Sequence, residues 1–177
     1  MSDHQSLNAV EDWLDLRSPN HPHHPTNRDC LCDFVLESNR IEGIDRLPTI
    51  DELEASGEFL IGPCDIDAVL ALQAVFAPGK PIRDQYGMNV RVGNYIAPLG
   101  GPWMRRDLEA VLGGRLSATT TDDPFHIHVA FEKLHPFIDG NGRTGRMVWA
   151  WKMLRSGQDP FALSFLHRFY YQTLAAA

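Results

Sequence analysis

Apolar residues along this chain recur mainly at intervals of three and four positions, the spacing of one face of an α-helix. Leu31, Phe34 and Val35 follow this spacing from Asp29 onwards, and Gly43 is a natural stop for that helix. The pattern predicts six further helices: a short one opening at Asp51, then 65–76, 103–113, 122–134, 142–155 and 160–173. The predicted fold class is therefore mostly α.

One segment departs from helical spacing. Residues 88–97 place Gly93-Asn94 between two short β-prone pieces, which is typical of a β-hairpin with a two-residue turn. Prolines and glycines at 98–102 then break the chain. We expect a helical domain with one small hairpin and no internal repeat.

The N-terminal region has a different composition. Residues 18–28 contain three prolines and three histidines, as a linker or loop does. We therefore predict an N-terminal extension over 1–28 and a single domain over 29–177. A metal site at His21, His23 and His24 is the alternative, but prolines interrupt the spacing and no carboxylate lies between them.

Composition narrows the class of protein. The chain has 177 residues, of which 44% are hydrophobic, enough for one domain with a core. Its 16 basic and 23 acidic residues make the net charge −7, which argues against a nucleic-acid partner. No apolar run reaches the roughly 20 residues that span a membrane, and the N-terminus lacks signal-peptide features. Together with the odd set Cys30, Cys32 and Cys64, this predicts a cytoplasmic protein with reduced thiols.

Residues 135–146, HPFIDGNGRTGR, concentrate the chemistry of the chain. They lie between two predicted helices, so Gly140, Asn141 and Gly142 form a loop that feeds a helix N-terminus. Such a terminus offers backbone N–H groups and partial positive charge to an anion, and glycines allow close approach. Asn141 can either cap the helix or donate its amide to a phosphate oxygen.

The flanking side chains suit a polyphosphate on a metal. Arg143 and Arg146 are three positions apart, so they share a helix face and can bind different phosphates of one chain. Asp139 is an oxygen ligand of the kind that Mg²⁺ uses beside nucleotide phosphates. His135 can be neutral near pH 7 and accept a proton. The twelve residues therefore suggest a base, a metal ligand and an anion site together.

This stretch resembles the HPFx[D/E]GNGRxxR signature of Fic domains at every specified position. His128, Phe131 and Leu134 also resemble the helix that leads into the motif in that family, and the resemblance covers roughly 30–165. It implies a Fic-type helical bundle with a hairpin flap.

The resemblance also implies an activity. Fic proteins typically transfer AMP from ATP to a Ser, Thr or Tyr hydroxyl of a target protein, which can be the enzyme itself. By this resemblance, His135 would deprotonate the hydroxyl and Asp139 would bind Mg²⁺. Charge stabilisation and positioning do most of the catalysis in such transfers.

The remaining motif residues would hold the nucleotide. Gly140, Asn141 and Gly142 would form the anion hole, Arg143 would contact the phosphate chain, and Arg146 the γ-phosphate. Relatives that transfer a γ-phosphate resemble the same motif with lysine at position 142, so Gly142 favours nucleotidyl transfer.

A second motif lies upstream. Ser38-Asn39-Arg40-Ile41-Glu42-Gly43 resembles the inhibitory motif [S/T]xxxE[G/N] of self-inhibited Fic proteins. Ser38 and Glu42 are neighbours at i, i+4 of the predicted helix over about 30–43. The hypothesis is that Glu42 takes the Arg146 guanidinium meant for the γ-phosphate. The alternative is a solvated helix end on which Glu42 pairs with Arg40 or Arg46.

The hairpin resembles the flap by which Fic domains hold a target segment through strand addition, with Val90, Arg91, Val92, Gly93 and Asn94 as the docking residues. Its alternative is a structural hairpin that covers the core.

The sequence thus predicts an autoinhibited protein adenylyltransferase. The alternatives are a Fic enzyme with another donor, one that removes AMP, or a non-catalytic nucleotide-binding regulator. A homo-oligomer is compatible with the resemblance.

Overall fold

A computed structural model of the protein describes residues 27–116 and 119–161, and the predicted mostly α fold is confirmed there. The described helices are α1 (Asn27–Ile41), α2 (Ile50–Ile61), α3 (Ile66–Phe76), α4 (Met104–Leu112), α5 (Pro124–Leu134) and α6 (Asn141–Arg155). No helix in this part of the chain is long and apolar enough to cross a membrane.

Two predictions fall largely outside the described residues. These are the extension over 1–28, with the histidines at 21, 23 and 24, and the last helix over 160–173. Of that helix only Pro160 and Phe161 are described, and they form a turn.

Local signals account for the helix boundaries. Thr49 caps α2 in a reciprocal capping box with Glu52, and the Asp65 carboxylate caps α3. Asp123 accepts from the backbone N–H of His126 ahead of Pro124, the first residue of α5. The helices therefore begin within a residue or two of the predicted positions.

The end of α1 is set by Gly43, which has φ +75°. The N–H of Gly43 bonds to the carbonyl of Arg40, and the N–H of Ile44 bonds to that of Asn39, both at 3.0 Å. This pair of bonds is a Schellman motif, which needs a left-handed residue at the position that Gly43 occupies. The predicted stop is confirmed, and it makes Glu42 the last residue before the chain turns away.

Helix α6 lies at the centre of the fold and packs against α1, α2, α3 and α5. The sequence pattern predicted one apolar face through Met147, Ala150, Trp151 and Leu154. That prediction was too narrow, because residues 143–150 are all buried. Neighbours on most sides bury the polar faces of α6 as well, which is why two arginines lie in the interior.

The predicted hairpin is confirmed as a ladder of β1 (Arg91–Val92) and β2 (Tyr95–Ile96), joined by Gly93-Asn94. A second antiparallel ladder pairs β3 (Arg115–Leu116) with β4 (Thr119–Thr120). Strands of two residues carry no alternating pattern, and Ser117-Ala118 is not a hairpin-turn dipeptide such as Gly93-Asn94, so the sequence has no signal for this ladder.

Candidate active site

His135 is the C-cap of α5 and has a left-handed backbone, with φ 49° and ψ 61°. Among the described residues it is the one non-glycine residue with positive φ. Its N–H bonds to the Phe131 carbonyl at 2.9 Å. A strained non-glycine backbone of this kind persists only where its surroundings hold it.

The environment of the His135 ring favours the neutral form. Burial lowers its pKa, and the nearby positive charge of Arg83 lowers it further. A hydrogen bond to the Glu132 backbone and the carboxylates of Glu42 and Asp139 oppose this shift. A neutral imidazole has one ring nitrogen without a proton, and that nitrogen can accept one, as a general base must.

The loop after His135 is shaped by Asn141. The Asn141 Oδ1 accepts from the Phe137 N–H at 2.8 Å, and its Nδ2 donates to the Phe137 carbonyl at 2.9 Å. The side chain does not cap α6, which is one of the two roles predicted for it. The other, donation to a phosphate, stays a prediction. The buried amide instead holds the loop closed on itself.

Gly140 precedes α6 with φ +79° and provides no side-chain cap to it. A Cβ at this position would lie 2.9 Å from the Ala77 Cβ, so α3 approaches too closely for any other residue. The first N–H groups of α6 lack partners within the helix and face the loop. This N-terminus lies where the sequence predicts an anion site, and no side chain caps it.

Asp139 is exposed at the rim of this site. Its Oδ1 accepts from the Gly140 N–H at 2.7 Å. The buried Gln73 of α3 fixes its backbone, because Nε2 donates to the carbonyls of Asp139 at 2.9 Å and Lys80 at 2.7 Å. An exposed carboxylate held in this way fits Mg²⁺, which protein sites often bind through one or two carboxylates plus substrate phosphates.

Arg146 is fully buried and turns towards α1. Its Nε donates to Ser38 Oγ at 2.7 Å, and its Nη2 donates to the Ser38 carbonyl at 2.9 Å and to Glu42 Oε1 at 2.8 Å. A Cβ at Gly142 would collide with the same Glu42 oxygen. The structure therefore brings Ser38, Glu42, Gly142 and Arg146 together, and the Glu42 carboxylate lies against the first turn of α6.

Arg143 contacts a different glutamate, Glu52 of α2. Its Nη1 lies 3.6 Å from Glu52 Oε1, and its guanidinium lies over the Phe76 ring at 5.4 Å. Burial lowers the pKa of Arg143, and the carboxylates around it oppose the shift. The two arginines predicted to share one anion are thus held by carboxylates of different helices.

Residues 67–152 match the Fic/DOC family. Domains of this family generally transfer nucleotidyl groups to proteins. The matched stretch runs from α3 into α6 and includes the hairpin, His135 and the loop. Helix α1, with Ser38 and Glu42, lies outside it. No curated protein matches the chain.

The hairpin of the matched stretch lies beside the end of α5. Residues 91–96 are exposed, and the Tyr95 hydroxyl donates to the Lys133 carbonyl at 2.6 Å, two residues before His135. Arg91, Val92, Gly93 and Asn94 therefore belong to a hairpin tied close to His135, and Val90 directly precedes it. The 81–83 segment also runs along the motif, where Ile82 and Phe137 form an antiparallel bridge.

Four residues of this site were missed from the sequence: Gln73, Arg83, Tyr95 and Glu52. Gln73 had a signal, since it follows Val69 by four positions on an apolar helix face, where a polar residue needs a buried partner. Arg83, Tyr95 and Glu52 had none. His128, interpreted from the sequence as a core or surface residue, is buried, with Nδ1 3.0 Å from the Gly145 carbonyl.

Proposed function

We propose that the protein is a Mg²⁺-dependent protein adenylyltransferase that uses ATP and is restrained by Glu42. One observation carries the proposal: the α5–α6 junction holds a partly buried histidine base beside a helix N-terminus with no side-chain cap and a buried arginine. These groups meet the needs of nucleotidyl transfer, namely a base, an anion site and fixed positive charge.

In the proposed reaction, a hydroxyl oxygen of the target forms a bond to the α-phosphorus of ATP. The bond from that phosphorus to the bridging oxygen breaks, pyrophosphate leaves, and His135 receives the hydroxyl proton. The N-terminus of α6 would hold phosphate oxygens, and Asp139 would hold Mg²⁺, which neutralises phosphate charge when bound. Arg143 and Arg146 would contact the phosphate chain once released from their glutamates.

The restraint follows from the position of Glu42. Its carboxylate accepts from Arg146 and lies against Gly142, where a phosphate would approach the helix N-terminus. A second negative charge about 4 Å away is repelled appreciably in a partly desolvated site. ATP would then lack both the guanidinium and the space that an in-line pose requires.

The target would bind to the hairpin. Strands β1 and β2 form an exposed two-stranded ladder whose outer edge can pair with an extended segment. Tyr95 ties this ladder to the end of α5, so an added strand would present its side chains near His135. The target protein can include a second copy of the enzyme.

The test uses α-labelled ATP with a Glu42→Gly parent. We expect this parent to label itself, and His135→Ala in the same parent to lose labelling while calorimetry shows unchanged ATP binding. His126→Ala is the matched control, because His126 is an exposed histidine on the same helix. Labelling that survives His135→Ala would refute the mechanism. A parent that binds ATP but labels nothing with ATP or UTP would favour a nucleotide-binding regulator.

A further inference from the structure

Arg83 is a fully buried arginine that lies between the hairpin and the histidine. Its guanidinium donates to four backbone carbonyls: His135 at 2.7 Å from Nε, Leu134 at 3.0 Å from Nη2, and Pro98 at 2.8 Å and Met88 at 3.1 Å from Nη1. A guanidinium presents five N–H donors in a rigid plane, so one side chain can hold four acceptors at once.

These acceptors belong to two separate parts of the site. Leu134 and His135 end α5, where carbonyls lack partners within the helix. Met88 and Pro98 stand on either side of the β1–β2 ladder, one before it and one after it. Arg83 therefore joins both ends of the hairpin to the backbone of the proposed base.

The backbone of Arg83 reinforces this link. Its N–H donates to the Pro136 carbonyl at 2.9 Å, and its carbonyl accepts from the Gly101 N–H at 2.9 Å. Gly100 permits the close packing, because a Cβ there would collide with the Met88 carbonyl oxygen. Main chain and side chain of one residue thus hold the motif on one side and the hairpin on the other.

Placing a guanidinium in the interior is costly, and burial lowers the pKa of Arg83. A residue that only capped the end of α5 would need fewer than four hydrogen bonds and would not need to bury a charge. The full set of contacts is accounted for if the residue has to hold two segments in one relative position.

We propose that Arg83 is a positioning residue that fixes the hairpin relative to His135, so that a hydroxyl docked on the hairpin meets the base. The proposal rests on the proposed transferase function. Displacements near 1 Å at a reacting centre can cost about 100-fold in rate. Arg83 would therefore govern transfer without contacting ATP or target.

The test compares Arg83→Lys with Arg105→Lys, both in the Glu42→Gly parent. Lysine keeps the charge, but its single nitrogen cannot reach four separate carbonyls. Arg105 is the matched control because it is a half-exposed arginine nearby, paired with Asp84 at 2.9 Å. We expect Arg83→Lys to slow self-labelling by roughly 30–100-fold with ATP affinity unchanged, and Arg105→Lys to leave both unchanged.

Hydrogen exchange separates this role from a general structural one. In Arg83→Lys we expect faster exchange of amides in 88–98 and 134–138, with those of α3 and α6 unchanged. Tyr95→Phe, which removes only the bond to Lys133, should affect 88–98 alone. Three results for Arg83→Lys would overturn the proposal. They are self-labelling as fast as that of Arg105→Lys, loss of ATP binding, or faster amide exchange throughout α3 and α6.

The two proposals can fail separately. If the Glu42→Gly parent labels nothing, the transferase function fails. The exchange measurement then still decides whether Arg83 links the hairpin to His135.

Discussion

Two arginines of α6 each meet a glutamate from an N-terminal helix, and the two contacts are built differently. Arg146 donates to Glu42 at 2.8 Å, and the Glu42 side chain is 30% exposed. Arg143 lies 3.6 Å from Glu52, whose side chain is 3% exposed. The closer pair is the one nearer to solvent.

The difference lies in what else holds each carboxylate. Glu52 accepts from both terminal nitrogens of Arg46 at 2.8 Å and from the Thr49 N–H at 2.9 Å. Burial alone would raise the pKa of Glu52, but these bonds and the charge of Arg46 outweigh it and lower the pKa. Glu42 follows the last residue of α1 and contacts one guanidinium, that of Arg146. A buried carboxylate with several partners suits permanent support, whereas a carboxylate that is 30% exposed suits a contact that opens.

The largest expected effect is on stability. Glu52→Ala should lower the free energy of unfolding by about 3 kcal/mol, because it leaves Arg143 buried without a carboxylate and removes the capping box. Urea denaturation measures the loss, with Glu54→Ala as control, since Glu54 is an exposed glutamate of the same helix. A loss below about 1 kcal/mol would mean that the Arg143–Glu52 contact contributes no more to stability than a partly exposed pair such as Arg146–Glu42.

Glu42→Gly should have its main effect on activity. Once freed, Arg146 can donate a charge-assisted hydrogen bond to a phosphate. This gain should raise the rate of self-labelling with α-labelled ATP by roughly 10–100-fold. The self-labelling rate of Glu42→Gln should lie between those of wild type and Glu42→Gly, because glutamine keeps the shape of the side chain but not its charge. A variant that unfolds as readily as Glu52→Ala, or binds ATP without faster labelling, would contradict a restraining role.

Ser38→Ala removes the hydrogen bond that Arg146 Nε donates to Ser38 Oγ, and leaves those to the Ser38 carbonyl and to Glu42. The hydrogen bond stabilises the restrained position of Arg146 by about 1 kcal/mol, so its loss should raise self-labelling roughly fivefold. The double variant with Glu42→Gly should label no faster than Glu42→Gly alone, because both substitutions release the same arginine. Additive gains would mean that Ser38 acts elsewhere.

The smallest effect is a pH dependence. Because the pKa of Glu52 is lowered on folding, its stabilisation is fully present above its unfolded value of about 4.3 and is lost as pH falls through the folded value. The stability gap between wild type and Glu52→Gln should therefore be constant near pH 7 and narrow below about pH 4. Urea titrations at pH 7, 5 and 3.5 measure it. If the stability difference between wild type and Glu52→Gln widened in acid, folding would raise the pKa of Glu52, and the prediction would be contradicted.

Local signals predicted much of the fold. Gly43, Gly93-Asn94 and Asp123-Pro124 act on their own backbone within a few residues, so their consequences can be derived without the rest of the chain. The burial of α6 on most sides could not be predicted in this way, because it depends on which helices surround it.

The sequence alone determined the chemistry of this protein: a histidine, a carboxylate, a glycine loop and two arginines in one stretch, with Ser38 and Glu42 upstream. The tertiary structure decided which of these meet. It placed Glu42 on Arg146 across 104 positions, Arg83 on His135 across 52, and Gln73 on Asp139 across 66. Local propensity does not specify contacts at such separations, since they arise only when packed helices bring distant segments to the same place.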